Sequence, residues 1–93
     1  MEMIGRKTEH STECVISNCT VHKCADRINI WIILHEHATS TYANYILPVL
    51  KQNFKLLFDC FDVVALDQLE GKEVTAYWNG PCGATELLGF RPR

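Results

Sequence analysis

The sequence predicts an α+β fold, in which an antiparallel sheet of about five strands carries one amphipathic helix on one of its faces. Apolar residues recur at helical spacing in a single segment, 49–61, whereas several other segments alternate or are rich in β-branched residues, as strands are. The strand-like segments come in runs on both sides of that helix, which favours an antiparallel sheet. With 93 residues, 47% of them hydrophobic, the chain is expected to be a single domain, 1–93.

Two strands are predicted in the first part of the chain. Residues 1–13 are polar and aperiodic, so we expect a frayed terminus or a short edge strand there. Residues 14–22 are rich in β-branched side chains and predict a strand. In 28–37 the even positions are almost wholly apolar and must face the core, whereas the odd positions, which include Trp31 and Ile33, are mixed.

The helix follows a third strand-like segment. Residues 42–47 are strand-like and end at Pro48, which suits the first turn of a helix. The apolar stripe of 49–61 recurs at i, i+4, i+7, i+8 and i+11 and consists of Leu50, Phe54, Leu57, Phe58 and Phe61. Burying such a stripe stabilises a fold by roughly 1.5–3 kcal/mol per large side chain, and we expect it to pack against the even face of 28–37.

The chain after the helix predicts a hairpin. Residues 67–71 have the pattern of one helical turn closed by glycine. Residues 72–78 alternate as a strand, 79–83 form a turn cluster, and 85–90 are the final strand. An anion-binding nest at 79–83 is the less favoured alternative to a hairpin turn.

The charge balance limits the partners that the chain can bind. A formal net charge of -2 and a pI near 6.0 argue against a general nucleic-acid or anionic-membrane binder, although they leave room for a local basic pocket. Residues 1–7 lack the apolar run of a signal peptide, and the longest apolar run, 30–34, is far too short to span a membrane. We therefore expect a protein of the cytoplasm.

Five cysteines stand at positions 14, 19, 24, 60 and 82. An odd number without a signal peptide predicts reduced thiols that pack as small hydrophobic side chains. The spacing of the first three is not that of the C-x₂-C knuckles of zinc ribbons. No cofactor is expected, and metal ligation or disulfides at these thiols are the less favoured alternatives.

His35-Glu36-His37 is the most chemical-looking trio in the chain. On a strand His35 and His37 share a face, so their rings could hold one metal ion. A third ligand would come from Cys19, His22 or Glu36. We favour a solvated strand end and keep His35 and His37 as weak metal candidates.

No motif of a known catalytic class is present. The chain lacks the serine nucleophile elbow, the phosphate-binding loop, the dinucleotide-binding glycines and the zinc-protease histidine pair. Cys24, Cys60 and Cys82 have no base beside them in the sequence that would activate a thiol. We therefore predict a binding protein rather than an enzyme.

Aromatic and acidic side chains are the candidate partner contacts. Tyr and Trp combine apolar area with a polar handle, and acidic groups would suit a basic groove on a target protein. The candidates are Tyr42, Tyr45, Glu70, Glu73, Tyr77, Trp78 and Glu86.

Self-association is expected through the odd face of 28–37. One short helix cannot cover both faces of a sheet, so Trp31 and Ile33 would be only partly covered in a lone chain. A homodimer with twofold symmetry is the favoured remedy. The alternative is that the C-terminal hairpin, with Trp78 and Leu88, folds over the same two residues.

Several stretches resemble a group of small phage and prophage proteins of unknown function. Those proteins contain a strand hairpin, a Gly-rich segment, an amphipathic helix and two closing patterns, V-x-x-W-E-x-L-x-G-K-x-V-R-V and I-x-x-I-G. The corresponding stretches here are 28–34, 42–45, 64–74 and 87–90. The best match is Leu-Glu-Gly-Lys-Glu-Val at 69–74, whereas the Gly-rich segment is replaced by Ala-Thr-Ser-Thr at 38–41 and the hairpin turn by other residues at 23–27.

The resemblance implies a phage-encoded, non-catalytic binding protein. The first hypothesis is an anti-defence protein, which inhibits a bacterial defence system in the style of anti-CRISPR proteins by occupying the surface of a host defence protein. The alternative is a sponge that sequesters a small nucleotide signal, with aromatic residues stacked on its bases. Its phosphate contacts would come from Arg6, Arg27, Arg91 or Arg93.

Overall fold

The computed structural model describes residues 3–81 and 86–93. In chain order its elements are β1 (Ile4–Gly5), β2 (His10–Cys24), β3 (Arg27–Glu36), β4 (Tyr42–Pro48), α1 (Lys51–Phe61), a 3₁₀ turn (Leu66–Leu69), β5 (Glu73–Trp78) and β6 (Leu87–Pro92). The strands form one antiparallel sheet in the order β1-β6-β5-β2-β3-β4. A mostly antiparallel sheet with one α-helix confirms the predicted α+β class, although the described residues hold six strands where about five were expected.

The additional strand comes from the segment predicted as a frayed terminus or an edge strand. Ile4 and Gly5 pair with β6 at the edge of the sheet, and the Ile4 side chain is fully buried. β2 begins at His10 rather than at 14, because this strand has a neighbour on each side and its first half pairs with β5.

Part of the predicted C-terminal hairpin falls on residues 82–85, which lie outside the described residues. They include Cys82, the end of the turn predicted at 79–83 and the start of the strand predicted at 85–90. The strand that follows, β6, runs on to Pro92 and pairs with β5 as a hairpin requires.

The sheet is curled because its longest strand joins two sets of partners. The first part of β2 pairs with β5, residues 14–24 pair with β3, and a bulge interrupts the β3 register between Ile16 and Asn18. A bulge bends a strand and increases its twist. The curl brings β4 near β6, so that the rings of Tyr45 and Phe90 meet edge to face with centroids 5.6 Å apart.

The core lies inside this curl. The even residues of β3 face it as predicted, and Ile30, Ile32 and Leu34 are buried. Leu57 and Phe61 of the helix stripe are buried in the same core, whereas Leu50, at the start of the stripe, is 46% exposed.

The helix lies elsewhere than expected. α1 was predicted against the even face of β3, but it packs most closely on β1 and β6, and its Phe61 ring lies 6.0 Å from that of Phe90. The curled sheet allows both positions to share one core, because β3 and β6 line opposite sides of the same interior. Neither helical segment in the described residues is long and apolar enough to cross a membrane.

Candidate binding face

The side of the sheet turned away from the core carries the odd-numbered residues of β3. Because neighbouring strands in register present the same face, the residues opposite these on β2 and β4 belong to it as well. We call the central part of this surface the outer face. It consists of Val15, Asn18, Thr20, His22, Trp31, Ile33, His35, Tyr42, Asn44 and Ile46, none of which is an Asp, Glu, Lys or Arg. Toward the β2–β3 turn the same side of the sheet continues with Asn29, Pro48 and the charged Arg27.

The outer face is uncovered within the described residues. Tyr42 and Ile46 are 65% and 47% exposed, and Trp31 and Ile33 are half-buried among their neighbours in the sheet. The helix packs on the core side, as does Leu69 of the 3₁₀ turn, which is fully buried in the core. An apolar centre with an uncharged polar surround is typical of the buried part of a protein interface.

The alternative prediction was that the C-terminal hairpin folds over Trp31, and the structure contradicts it. β5 and β6 continue the sheet beyond β2 instead of folding over its outer face. Trp78 faces the core, and its indole Nε1 donates a hydrogen bond of 2.8 Å to the Thr12 hydroxyl.

Ring contacts hold several side chains of the outer face in place. The His22 ring lies on Trp31 with centroids 4.9 Å apart, and its Nε2 is 2.7 Å from the Thr20 hydroxyl. The His35 ring lies on Tyr42 at 4.8 Å. Side chains that are already ordered lose less conformational entropy when a partner binds.

Charged groups gather on the β5 side of the outer face. His37 Nε2 is 2.9 Å from Glu73 Oε2, and the Arg93 guanidinium reaches Glu73 at 3.7 Å and Glu13 at 3.0 Å. These groups are about half exposed, so each pair stabilises the fold by no more than about 1 kcal/mol. They form a charged rim beside the uncharged centre.

The histidine trio does not gather into a metal site. The His35 and His37 rings lie on one side of the strand, as the alternation predicts, with centroids 6.4 Å apart. Glu36 points to the core side, where it is buried and accepts a hydrogen bond of 3.2 Å from the Thr39 hydroxyl. Residues 3–81 and 86–93 contain no group of three His, Cys, Asp or Glu side chains placed to hold a metal ion.

The four predicted aromatic contacts have different surroundings. Tyr42 is exposed on the outer face. Tyr45 points inward toward Phe90, and burial raises the pKa of its hydroxyl. Tyr77 and Trp78 are only 3% and 8% exposed, so they offer a partner little surface.

The three predicted glutamates are exposed but lie apart. Glu70 follows the 3₁₀ turn, and Glu73 begins β5 and belongs to the charged rim. Glu86 lies at the other end of β5, where its N–H donates a hydrogen bond of 2.8 Å to the Asn79 side chain. The length of β5, roughly 17 Å at about 3.3 Å per residue, separates Glu73 from Glu86. They do not form one acidic surface.

Three of the four predicted phosphate-binding arginines are also dispersed. Arg93 is engaged by Glu13 and Glu73, and Arg27 lies at the tip of the β2–β3 hairpin. Arg6 follows β1, which is the edge strand far from the β2–β3 hairpin. Its backbone N–H donates a hydrogen bond to the Leu88 carbonyl. The arrangement does not bring these three guanidinium groups around one ligand.

Burial sets the chemistry of two cysteines. Cys14, Cys19 and Cys24 are free thiols, as predicted. Burial raises the pKa of the Cys14 thiol, and it raises that of Cys19 to about 11, with the Glu70 carboxylate adding to the shift. Since the thiolate is the reactive form, both side chains are held as unreactive thiols at neutral pH.

The raised pKa of Cys19 predicts a loss of stability in alkali. In the unfolded chain this thiol ionises near its ordinary pKa of 9.0, whereas in the folded chain it ionises near 11, so unfolding releases a proton between these values. Stability should therefore fall from pH 9 to about 11, by roughly 2 kcal/mol from this group alone. Urea unfolding with a reducing agent would measure it. Cys19→Ala should show a shallower fall, and an equal fall in both proteins would contradict the assignment.

The fold and the outer face define a small antiparallel-sheet protein with a helix on one side and an open surface on the other. No protein-family model, curated protein or solved structure matches the chain. The resemblance to small phage proteins therefore stays a prediction based on the sequence.

Proposed function

We propose that this chain is a non-catalytic binding protein and that its outer face holds the partner. The observation that carries the proposal is the uncovered centre of Trp31, Ile33 and Ile46, with aromatic rings and neutral polar groups around it. Interfaces are depleted of charge at their centre and enriched in Trp and Tyr, and a few such residues supply most of the binding energy.

The proposed partner is a bacterial defence protein, whose surface the chain would block. Support comes from the sequence resemblance to phage proteins and from the small size of a chain that carries an open apolar surface. The charged rim of Glu13, Glu73 and Arg93 would orient the partner around the apolar centre, because charge at a rim acts mainly on association and specificity.

Phage plating tests the proposal. The chain would be expressed in bacterial strains that each carry one defined defence system, CRISPR–Cas systems among them, and challenged with a phage that the system restricts. We expect plating to recover by orders of magnitude in one of these strains. Trp31→Glu, which places a charge at the centre of the outer face, should abolish the recovery because an unpaired charge would be buried on binding.

Val64→Glu is the matched control. Val64 is 82% exposed and lies outside the outer face, so the same charge is introduced without touching the proposed interface. Both variants should keep the circular dichroism of the native protein. The proposal would be contradicted if phage plating recovered in none of the strains, or if Trp31→Glu restored plating as well as the native protein does. Heat of binding with cyclic nucleotides in calorimetry would favour the nucleotide sponge instead.

A second copy of the chain is the other occupant that the outer face could take. In that case light scattering at micromolar concentration gives about twice the 10.6 kDa chain mass, and Trp31→Glu halves it whereas Val64→Glu does not. If light scattering gives the mass of a single chain, the protein is a monomer and its outer face is open to a different protein.

A further inference from the structure

The open edge of β4 is a second surface that can hold a partner. β4 is the last strand of the sheet, so one of its sides has no neighbouring strand in the described part of the chain. Two hydrogen bonds continue the β3–β4 register at its ends, from the Glu36 N–H to the Thr41 carbonyl and from the Val49 N–H to the Ile28 carbonyl. Because bonded and non-bonded pairs alternate in an antiparallel ladder, the odd residues of β4 bond to β3 and the even residues point their backbone groups away from it.

The backbone N–H and C=O groups of Tyr42, Asn44 and Ile46 therefore line the open edge. Proteins usually protect such an edge with charged side chains, with proline, with a bulge or by keeping the strand short. β4 has seven residues, none of them charged, its register with β3 has no bulge, and its proline stands at its last position. β1, at the other edge of the sheet, has only two residues. The edge of β4 is thus the one in this sheet that is open to an added strand.

A cleft of about 370 Å³ lies beside this edge. It is lined by Asn44, Tyr45 and Ile46 of β4 and by Glu86, Leu87 and Leu88 at the start of β6. The cleft gives another chain access to the backbone groups of Asn44 and Ile46, and the two leucines and the Tyr45 ring offer apolar contacts to its side chains.

The space fits a single extended segment better than a second copy of this chain. A second copy would bring a whole sheet to the edge, where the curl places β6 close to β4, as the 5.6 Å between the Tyr45 and Phe90 rings shows. A single strand needs only the strand spacing of about 5 Å beside β4.

The charge at the cleft favours a segment that carries a basic residue. Glu86 is exposed and is the only charged residue that lines the cleft within the described residues. Its backbone N–H donates to the Asn79 side chain, but its carboxylate makes no ion pair in the described part of the chain. A lysine or arginine of the partner would find a free carboxylate there.

We propose that the edge of β4 binds an extended segment of a partner protein as an additional strand, with a basic side chain of that segment at Glu86. Backbone hydrogen bonds to Asn44 and Ile46 supply the attachment, as in other cases of strand addition, and the side chains supply the selectivity. Because side chains alternate along a strand, one set would lie in the cleft against Leu88 and the other would extend the outer face. The proposal uses the backbone edge and the cleft, so it does not rest on the proposed function.

Nuclear magnetic resonance of the full chain tests the proposal. The probe is a short peptide, blocked at both ends, that alternates valine and threonine around one central lysine, and its counterpart has glutamate in place of the lysine. We expect the lysine peptide to protect the amides of Asn44 and Ile46 from hydrogen exchange, whereas that of Tyr45, which bonds to β3 already, changes little. The lysine peptide should bind about threefold more tightly than the glutamate peptide, because the ion pair is exposed to water.

Asn44→Pro is the variant that separates strand addition from side-chain contact. It removes an N–H that points away from β3, and proline is tolerated at such a position of an edge strand. We expect binding of the lysine peptide to weaken by at least about tenfold, because a hydrogen bond is lost and the proline ring occupies its place. Asn44→Ala is the matched control, since it keeps the N–H and should bind as the native protein does. Both variants should keep the native circular dichroism.

Glu86→Lys tests the charge without any change to β4. It should reverse the preference, so that the glutamate peptide binds more tightly, whereas Glu70→Lys, beyond the 3₁₀ turn, should leave the preference as it is. No binding at millimolar peptide, equal binding by the two Asn44 variants, or an equal effect of the two lysine variants would overturn the proposal. Protection of Asn44 and Ile46 that rises with protein concentration in the absence of peptide would overturn it in favour of a second copy.

Discussion

Replacing Phe90 with alanine is expected to lower the free energy of unfolding by about 3–5 kcal/mol. Phe90 is fully buried in β6, and its ring contacts Tyr45 of β4 and Phe61 of α1. It therefore links β6 both to the edge strand β4 across the curl and to the helix, and alanine would leave a cavity between these three elements. Domains of this size are stable by about 5–15 kcal/mol, so the variant would lose a large share of its stability.

Urea unfolding followed by circular dichroism measures this loss, and Phe54→Ala is the control. Phe54 lies on the helix stripe but is only half-buried, with Phe58 as its ring neighbour at 6.0 Å. The same atoms are removed, yet the smaller buried area should make the cost clearly smaller. Equal losses in the two variants would show that Phe90 does not hold the curl together.

The helix and the central strand could be predicted from local pattern. The apolar stripe places the helix at 49–61 and the structure has it at Lys51–Phe61. Ile30, Ile32 and Leu34 of β3 are buried as their alternation predicts, whereas Ile28, near the start of the strand, is 47% exposed. Both predictions rest on side chains a few residues apart, whose relation to one another is fixed by the geometry of a helix or a strand.

The curl and the position of the helix could not be predicted from the same patterns. The pairing of β2 with both β3 and β5, the bulge after Ile16 and the pairing of β1 with β6 depend on residues far apart in the sequence. The alternation of apolar and polar residues within one strand does not indicate which other strand it pairs with. For this reason the helix was expected on β3, although it packs closest to β1 and β6.

Only part of the candidate site could be predicted from the sequence. Trp31 and Ile33 could be assigned to the odd face of β3 because one strand determines its own alternation. Val15 and Ile46 were missed because they join that face through the register of neighbouring strands. The β2 bulge shifts this register by one residue, so even a correct set of strands would have placed half of β2 on the wrong face.

Replacing Gly89 with alanine is expected to detach β1 from the sheet. A Cβ built on Gly89 lies 2.6 Å from the backbone N and O of Arg6 and from the Ile4 carbonyl oxygen. Backbone atoms cannot rotate away as a side chain can, so β1 must move and Ile4 must leave the core. Exposing Ile4 alone costs roughly 1.5–3 kcal/mol, and the lost β1–β6 hydrogen bonds add to it.

Hydrogen exchange and urea unfolding together test this prediction. The Arg6 N–H donates to the Leu88 carbonyl at 3.1 Å, so its protection from exchange should be lost in Gly89→Ala while the amides of β3 stay protected. Gly71→Ala is the control, because Gly71 has φ +86 but no atom within 4 Å of its added Cβ. That variant has only the backbone strain of about 1–2 kcal/mol and should leave β1 in place. Normal protection of Arg6 in Gly89→Ala would mean that β6 yields to the new methyl group, and β1 would then be held more firmly than its two-residue pairing indicates.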